Sequence, residues 1–175
     1  FSISDIMAEA APGSSSRLRL ALLLLVVLCS APLSLGRRAG DRGATPILGW
    51  NNCQLDCGPV LPDDALVRAT ATALHKTGLF EAGYTYLNLD DAWMTSARDP
   101  ATHRQVPNAT RFPDFLGTIK YVQSQNLSMG LYTASGTATC SGRTGSCLHE
   151  AIDAEQFAEW GLAHVKDDAC SVCRD

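Results

Sequence analysis

The chain has 175 residues, enough for one domain of ordinary size. Apolar residues make up 46% and charged residues 18%, so a packed core is expected and a disordered chain is not. The formal net charge of -4, with no basic stripe and no glycine-rich nucleotide loop, argues against nucleic acid as a partner.

The N-terminus has the grammar of a targeting segment. After Met7 a Ser-rich stretch leads to Arg17 and Arg19, then to an apolar run over 20–29. Ser34 and Gly36 follow at the spacing of a cleavage site, just before Arg37. A basic region, a short apolar run and a small-residue tail predict a secretory signal, so residues 1–36 are expected to be leader and signal peptide. The run is shorter than the roughly 20 residues that cross a bilayer, so no stable span is expected after cleavage. An uncleaved anchor and an organelle transit peptide are the alternatives. The expected destination is the secretory pathway, ending outside the cell, in the cell wall, or in a lysosome or vacuole.

Of seven cysteines, Cys29 leaves with the signal, and Cys53, Cys57, Cys140, Cys147, Cys170 and Cys173 remain. An even number in an oxidising compartment points to disulfides, with the pairing left open by the sequence. Zinc is the competing use, but no histidine stands beside these cysteines at ligand spacing. No metal or other cofactor is expected. Asn108-Ala109-Thr110 and Asn126-Leu127-Ser128 are glycosylation sequons.

From residue 45 onward strands and helices alternate. A strand is predicted over 47–49. A helix capped by Asp63 or Asp64 runs over 66–76 and ends at Gly78. A strand over 84–89 terminates in Asp90-Asp91, and Pro113-Asp114 opens a helix to about residue 125. The strand over 128–132, a helix over 152–160 ended by Gly161, and a strand over 162–167 complete the order β-α-β-α-β-α-β. Such alternation implies parallel strands joined by right-handed crossovers.

Two architectures satisfy this pattern, a closed barrel and an open doubly wound sheet. Strand alternation puts Thr85, Leu87 and Leu89 on one side and Tyr86, Asn88 and Asp90 on the other. Likewise Met129 and Leu131 oppose Gly130 and Tyr132, while Ala163 and Val165 oppose His164, Lys166 and Asp168. One apolar face and one polar face, the latter ending in charge, fit a (β/α)8 barrel whose mouth lies at the strand C-termini. A complete barrel takes about 250 residues, so residues 37–175 are expected to be its N-terminal half, with the first four strands.

Three clusters fall at strand ends: Asp90-Asp91-Ala92-Trp93, Tyr132, and Lys166-Asp167-Asp168. Carboxylates accept hydrogen bonds from hydroxyls and aromatic rings cover apolar sugar faces, so sugar recognition suits them. Lys166 and Asp168 share a strand face, where the ammonium favours an ionised Asp168, as a nucleophile at an anomeric carbon requires. A strand-end turn and a structural ion pair are the plain alternatives. Trp93 and Trp160 are read as core, and His75, His103, His149 and His164 have no triad or metal spacing.

Six blocks in order resemble family 27 glycoside hydrolases: 48–51 (LGWN), 82–93 (AGYTYLNLDDAW), 129–132 (MGLY), 139–142 (TCSG), 153–161 (DAEQFAEWG) and 166–170 (KDDAC). This family contains alpha-galactosidases and alpha-N-acetylgalactosaminidases. The resemblance implies that Asp168 is the catalytic nucleophile, that Asp90 and Asp91 hold galactose hydroxyls, and that Lys166 contacts the sugar beside the nucleophile. It further implies that Trp50 is an aromatic wall of the pocket, that Tyr132 lines it, and that Cys140 pairs with Cys170. With that pair set aside, Cys53 is assigned to Cys57 and Cys147 to Cys173.

The implied function is retaining hydrolysis of terminal alpha-D-galactosides from glycolipids, oligosaccharides or polysaccharides. Alternatives are an alpha-N-acetylgalactosaminidase, a beta-L-arabinopyranosidase, or a non-catalytic sugar-binding relative. Two departures stand out. Ala92 replaces the cysteine usual in the family, and Asp167, expected to face away from the barrel axis, adds a second carboxylate beside the nucleophile. The general acid/base of such an enzyme matches no position in this chain, so the 175 residues alone are expected to be inactive. Oligomeric state is left open.

Overall fold

The computed structural model describes residues 46–53 and 61–173. The expected signal peptide, and Cys57 with its expected bond to Cys53, lie outside the described residues. Seven elements follow in chain order: β1 (Gly49–Asn51), α1 (Asp64–Lys76), β2 (Tyr86–Asn88), α2 (Phe115–Ser124), β3 (Ser128–Ala134), α3 (Glu150–Glu159) and β4 (His164–Asp168). Among the described residues no helix is long and apolar enough to cross a membrane.

Helix starts are set by the aspartates singled out above. The Asp63 side chain accepts from Leu66 N at 2.7 Å and caps α1. Asp114 does the same for α2 through Gly117 N at 2.9 Å, satisfying amides that have no intrahelical partner. Gly78 and Gly161, both at positive φ, turn the chain out of α1 and α3.

Strand bounds differ from the sequence reading for local reasons. Leu48 O accepts from both Thr85 N and Tyr86 N, and Thr85 N also reaches Gly83 O, so a turn occupies residues 83–85 and β2 starts late. Leu162 N closes back on Phe157 O, which delays β4 to His164. β3 instead runs on to Ala134, because Thr133 and Ala134 find partners in Asp167 and Asp168.

The four strands are all parallel, in the order β1-β2-β3-β4. Every crossover steps the same way, so right-handed connections put the three helices on one face. The order reversal of a doubly wound sheet is absent among the described strands. On the helix side Leu87, Leu89, Met129 and Leu131 pack with Val67, Ala71 and Leu74 of α1 and Ile119 and Val122 of α2. Each of these buried Val, Leu, Ile and Met side chains contributes roughly 1.5–3 kcal/mol. Trp93, fully buried, stacks on Phe115 at 5.2 Å and meets Trp160 edge-on at 5.8 Å. Its indole donates to Tyr132 O at 2.8 Å, tying the loop after β2 to β3. On the other face Gly130 lies between Asn88 and His164, where a Cβ would collide with the Asn88 side-chain oxygen and the His164 carbonyl.

Candidate active site

Asp90 and Asp91 follow β2 directly, Tyr132 lies in β3, and Lys166 and Asp168 lie in β4. Parallel register aligns Tyr132 with Lys166 and Ala134 with Asp168, so these positions share the face without helices. Asp90, Asp91, Tyr132, Cys140, Ser141 and Asp168 line one cleft at the C-terminal ends of the strands, together with Asn52, Cys53, Leu61 and Ala92.

Lys166 organises the charges. Its Nζ lies 2.8 Å from Asp90 Oδ2 and 3.8 Å from Asp168 Oδ2, and 5.0 Å from the centre of the Tyr132 ring. Burial alone would lower the Lys166 pKa, but the hydrogen bond to Asp90 and the neighbouring negative charges outweigh it and hold it above the usual value. The lysine is therefore a fixed cation at neutral pH. It neutralises Asp90, which is nearly fully buried, more directly than the more open Asp168.

Backbone amides hold the three carboxylates. Asp90 Oδ1 accepts from Asp91 N at 2.9 Å, Asp91 Oδ1 from Ala92 N at 2.6 Å, and Asp168 Oδ1 from Ala169 N at 2.8 Å. Asp91 Oδ2 takes a further amide, Ser141 N, at 2.9 Å. The Tyr132 hydroxyl donates to Asp168 Oδ2 at 3.2 Å and touches Cys170 Sγ at 3.4 Å. Burial, then the charges of Asp91 and Asp168, push the Tyr132 pKa far above its ordinary value, so it remains a neutral donor.

Trp50 is a correction. In register with Leu87, which is in turn in register with Met129, it packs against the core cluster on the helix side and does not line the cleft. With the first strand read over 47–49, Trp50 stood past its end. The observed strand contains it and fixes its face. Asn52 and Cys53 stand on that side of the cleft instead.

Asp167, level with Thr133, lines a separate hollow against α3 with Glu150, Asp153 and Phe157. Burial, then the charges of Asp168 and Glu150, raise its pKa. Cys140 is bonded to Cys170 and Cys147 to Cys173. Among the described residues, the one group of three side chains within metal-ligand reach of one another is Cys140, Asp168 and Cys170, and its two sulfurs are engaged in the disulfide.

The sequence reading missed Asn52 and Ser141. Asn52 Oδ1 accepts from Asp90 N at 2.7 Å, and Asn52 is itself buried. It also missed the buried Asp153, which takes a bidentate contact from Arg98 at 2.6 and 2.7 Å, with Gln105 Nε2 at 2.8 Å and Ser146 Oγ at 2.7 Å. One signal was available: Asp153, Gln156 and Phe157 share a helix face, so Asp153 had to be buried and paired.

The family model described as "Alpha galactosidase A" matches residues 45–175. The chain belongs to this alpha-galactosidase family. Among curated relatives, the Probable alpha-galactosidase B of Aspergillus oryzae is 41% identical over 140 residues, covering 74% of this chain and 29% of the relative. That of Aspergillus clavatus is 37% identical over 166 residues, covering 90% and 36%. The chain thus spans about a third of the length of these family members.

Among solved structures, alpha-galactosidase I from Mortierella vinacea superposes with a TM-score of 0.67 at 32% identity, over 73% of this chain and 32% of that one. An alpha-galactosidase from Saccharomyces cerevisiae solved with raffinose gives 0.68 at 29%, over 74% and 28%. The parallel sheet with its helices is the N-terminal portion of the alpha-galactosidase (β/α)8 barrel.

Proposed function

We propose that the complete protein is a retaining alpha-galactosidase acting on terminal alpha-D-galactosyl groups. One observation carries this reading: Asp168 stands at a strand C-terminus beside a fixed ammonium, within one cleft with the paired acceptors Asp90 and Asp91, in a chain of this family. Asp168 is the nucleophile. Its carboxylate forms a bond to the anomeric carbon as the bond to the leaving oxygen breaks, and that oxygen takes a proton from a second carboxylic acid. Water then releases the sugar, with the second carboxylate taking the proton.

Asp90 and Asp91 accept sugar hydroxyls, Lys166 pairs with Asp90 and reaches the same hydroxyls, and Tyr132 donates to the nucleophile. The second carboxylate is assigned to the part of the protein that the longer relatives have and these 175 residues do not. The raffinose complex of the yeast neighbour supports an alpha-galactoside as substrate.

The finer expectations complete the proposal. Residues 1–36 are leader and cleaved signal, residues 37–175 begin the catalytic barrel, and the protein is a secreted or vacuolar glycoprotein. Two disulfides support an oxidising compartment. Asn126, exposed at positive φ in the turn between α2 and β3, is the better placed sequon, and glycopeptide mass analysis of the secreted protein checks it.

The functional test is hydrolysis of a nitrophenyl alpha-galactoside by the full-length protein and by Asp168→Asn, which removes the charge at nearly constant volume. Turnover should be lost with the fold retained. Wild-type rates in the variant would overturn the assignment.

A further inference from the structure

Two segments outside the strands complete the cleft. One is the hairpin over 137–147, closed by pairing of Ala138 with Thr144 and by Thr139 N donating to Arg143 O at 2.9 Å. Its tip presents Ser141 N to Asp91. The other is the exit from β4 over 169–173, where Cys170 touches the Tyr132 hydroxyl that bonds Asp168.

The hairpin root is well held. Cys147 N donates to Gly136 O, Ser146 N to Ala134 O, and Thr144 N to Thr95 O. The exit segment is held more thinly: its backbone at Cys170 and Ser171 lies against Gly136, but Ala169, Ser171, Val172 and Cys173 are exposed, and Ser171 sits at positive φ. Cys140–Cys170 joins the exit to the hairpin tip, and Cys147–Cys173 joins it to the root. A single cross-link between two segments leaves a pivot about the bonded sulfurs. A second, at a separate point, removes that pivot and makes one rigid body of both segments.

We propose that the Cys147–Cys173 disulfide is a positioning element of the site, fixing the Asp91 carboxylate, through the hairpin, relative to Asp168 at the end of β4, from which the exit leads. This rests on the reading that both carboxylates serve one sugar. Neither sulfur of the pair lines the cleft, so the effect is indirect.

The test uses the full-length protein with both cysteines replaced (Cys147→Ala, Cys173→Ala), so that no thiol is stranded. Well below the melting temperature, kcat/KM on a nitrophenyl alpha-galactoside should fall about tenfold, the scale of one weakened charge-assisted hydrogen bond. Covalent trapping by a 2-deoxy-2-fluorogalactosyl fluoride should slow in parallel. A lower melting temperature with unchanged kcat/KM and trapping rate would overturn the clamp and leave a purely stabilising bond. Should the double variant fail to fold, mild reduction of the wild type, with alkylation mapped to Cys147 and Cys173, gives the same two readouts. A wild type that turns over no alpha-galactoside would count against the functional reading, whereas turnover unaffected by loss of the bond counts against the clamp alone.

Discussion

Lys166 Nζ stands 2.8 Å from Asp90 Oδ2 and a full ångström farther, 3.8 Å, from Asp168 Oδ2. The sequence placed Lys166 and Asp168 on one strand face and made the lysine the guardian of the nucleophile. In space its first duty is to Asp90, whose side chain is 7% exposed and could not hold a bare charge cheaply.

Lys166→Met should therefore damage sugar recognition as well as chemistry. Asp90 would lose its cation, leaving a buried carboxylate uncompensated where a hydroxyl is to be held. A loss of about 10- to 100-fold in kcat/KM is expected, with much of it in KM. Steady-state kinetics with galactose inhibition constants check this, and an unchanged KM would contradict the pairing.

Asp167 gives a pH signature. Its pKa is raised in the fold, chiefly by partial desolvation in the hollow against α3 and then by Asp168 and Glu150, so the folded state binds its proton more tightly than the unfolded state does. Its contribution to stability is fully present below the ordinary carboxylate pKa. It is lost as pH climbs from there through the folded value. Asp167→Asn removes that loss. The variant should be slightly more stable at neutral pH, by about 0.5 kcal/mol or less because the residue is exposed, and the gain should vanish in acid. Denaturant midpoints of the full-length protein across pH measure this, and a gain that grows in acid would refute it.

Arg98→Met tests the scaffold. The Arg98 guanidinium grips Asp153, which is 2% exposed, and also donates to Gly145 O at 2.6 Å, so it joins the loop after β2, the hairpin root and α3. Removing one partner of a buried pair costs about 3–5 kcal/mol, because the other charge stays behind. Urea unfolding should report a loss of that order, and a loss below about 1 kcal/mol would mean that Gln105 and Ser146 suffice for Asp153.

How much was legible follows from the kind of contact. Asp90, Tyr132, Lys166 and Asp168 came from a period of two along strands, and parallel register carries that parity from one strand to the next. Trp50 was placed by resemblance alone, since the opening strand was read as ending before it, and its side is fixed only by register with Leu87 in the neighbouring strand. Asn52 and Ser141 meet their aspartates across 38 and 50 residues of chain, by routes through irregular loops that no periodicity encodes. The Arg98–Asp153 pair, 55 residues apart, was half readable: the helix phase marked the acid for burial and left its base anonymous.

β3 lies between the two strands that the Lys166–Asp90 contact connects. Reaching over an intervening strand means spanning two interstrand spacings, about 9.5 Å, which the long lysine stem covers. Tyr132 is the β3 residue level with Lys166, and the ammonium stands 5.0 Å from the centre of its ring. The ring is thus the saddle across which the ion pair is strung. A change in its size, even one that leaves both charges in place, would shift the ammonium and be felt first as poorer recognition of the substrate.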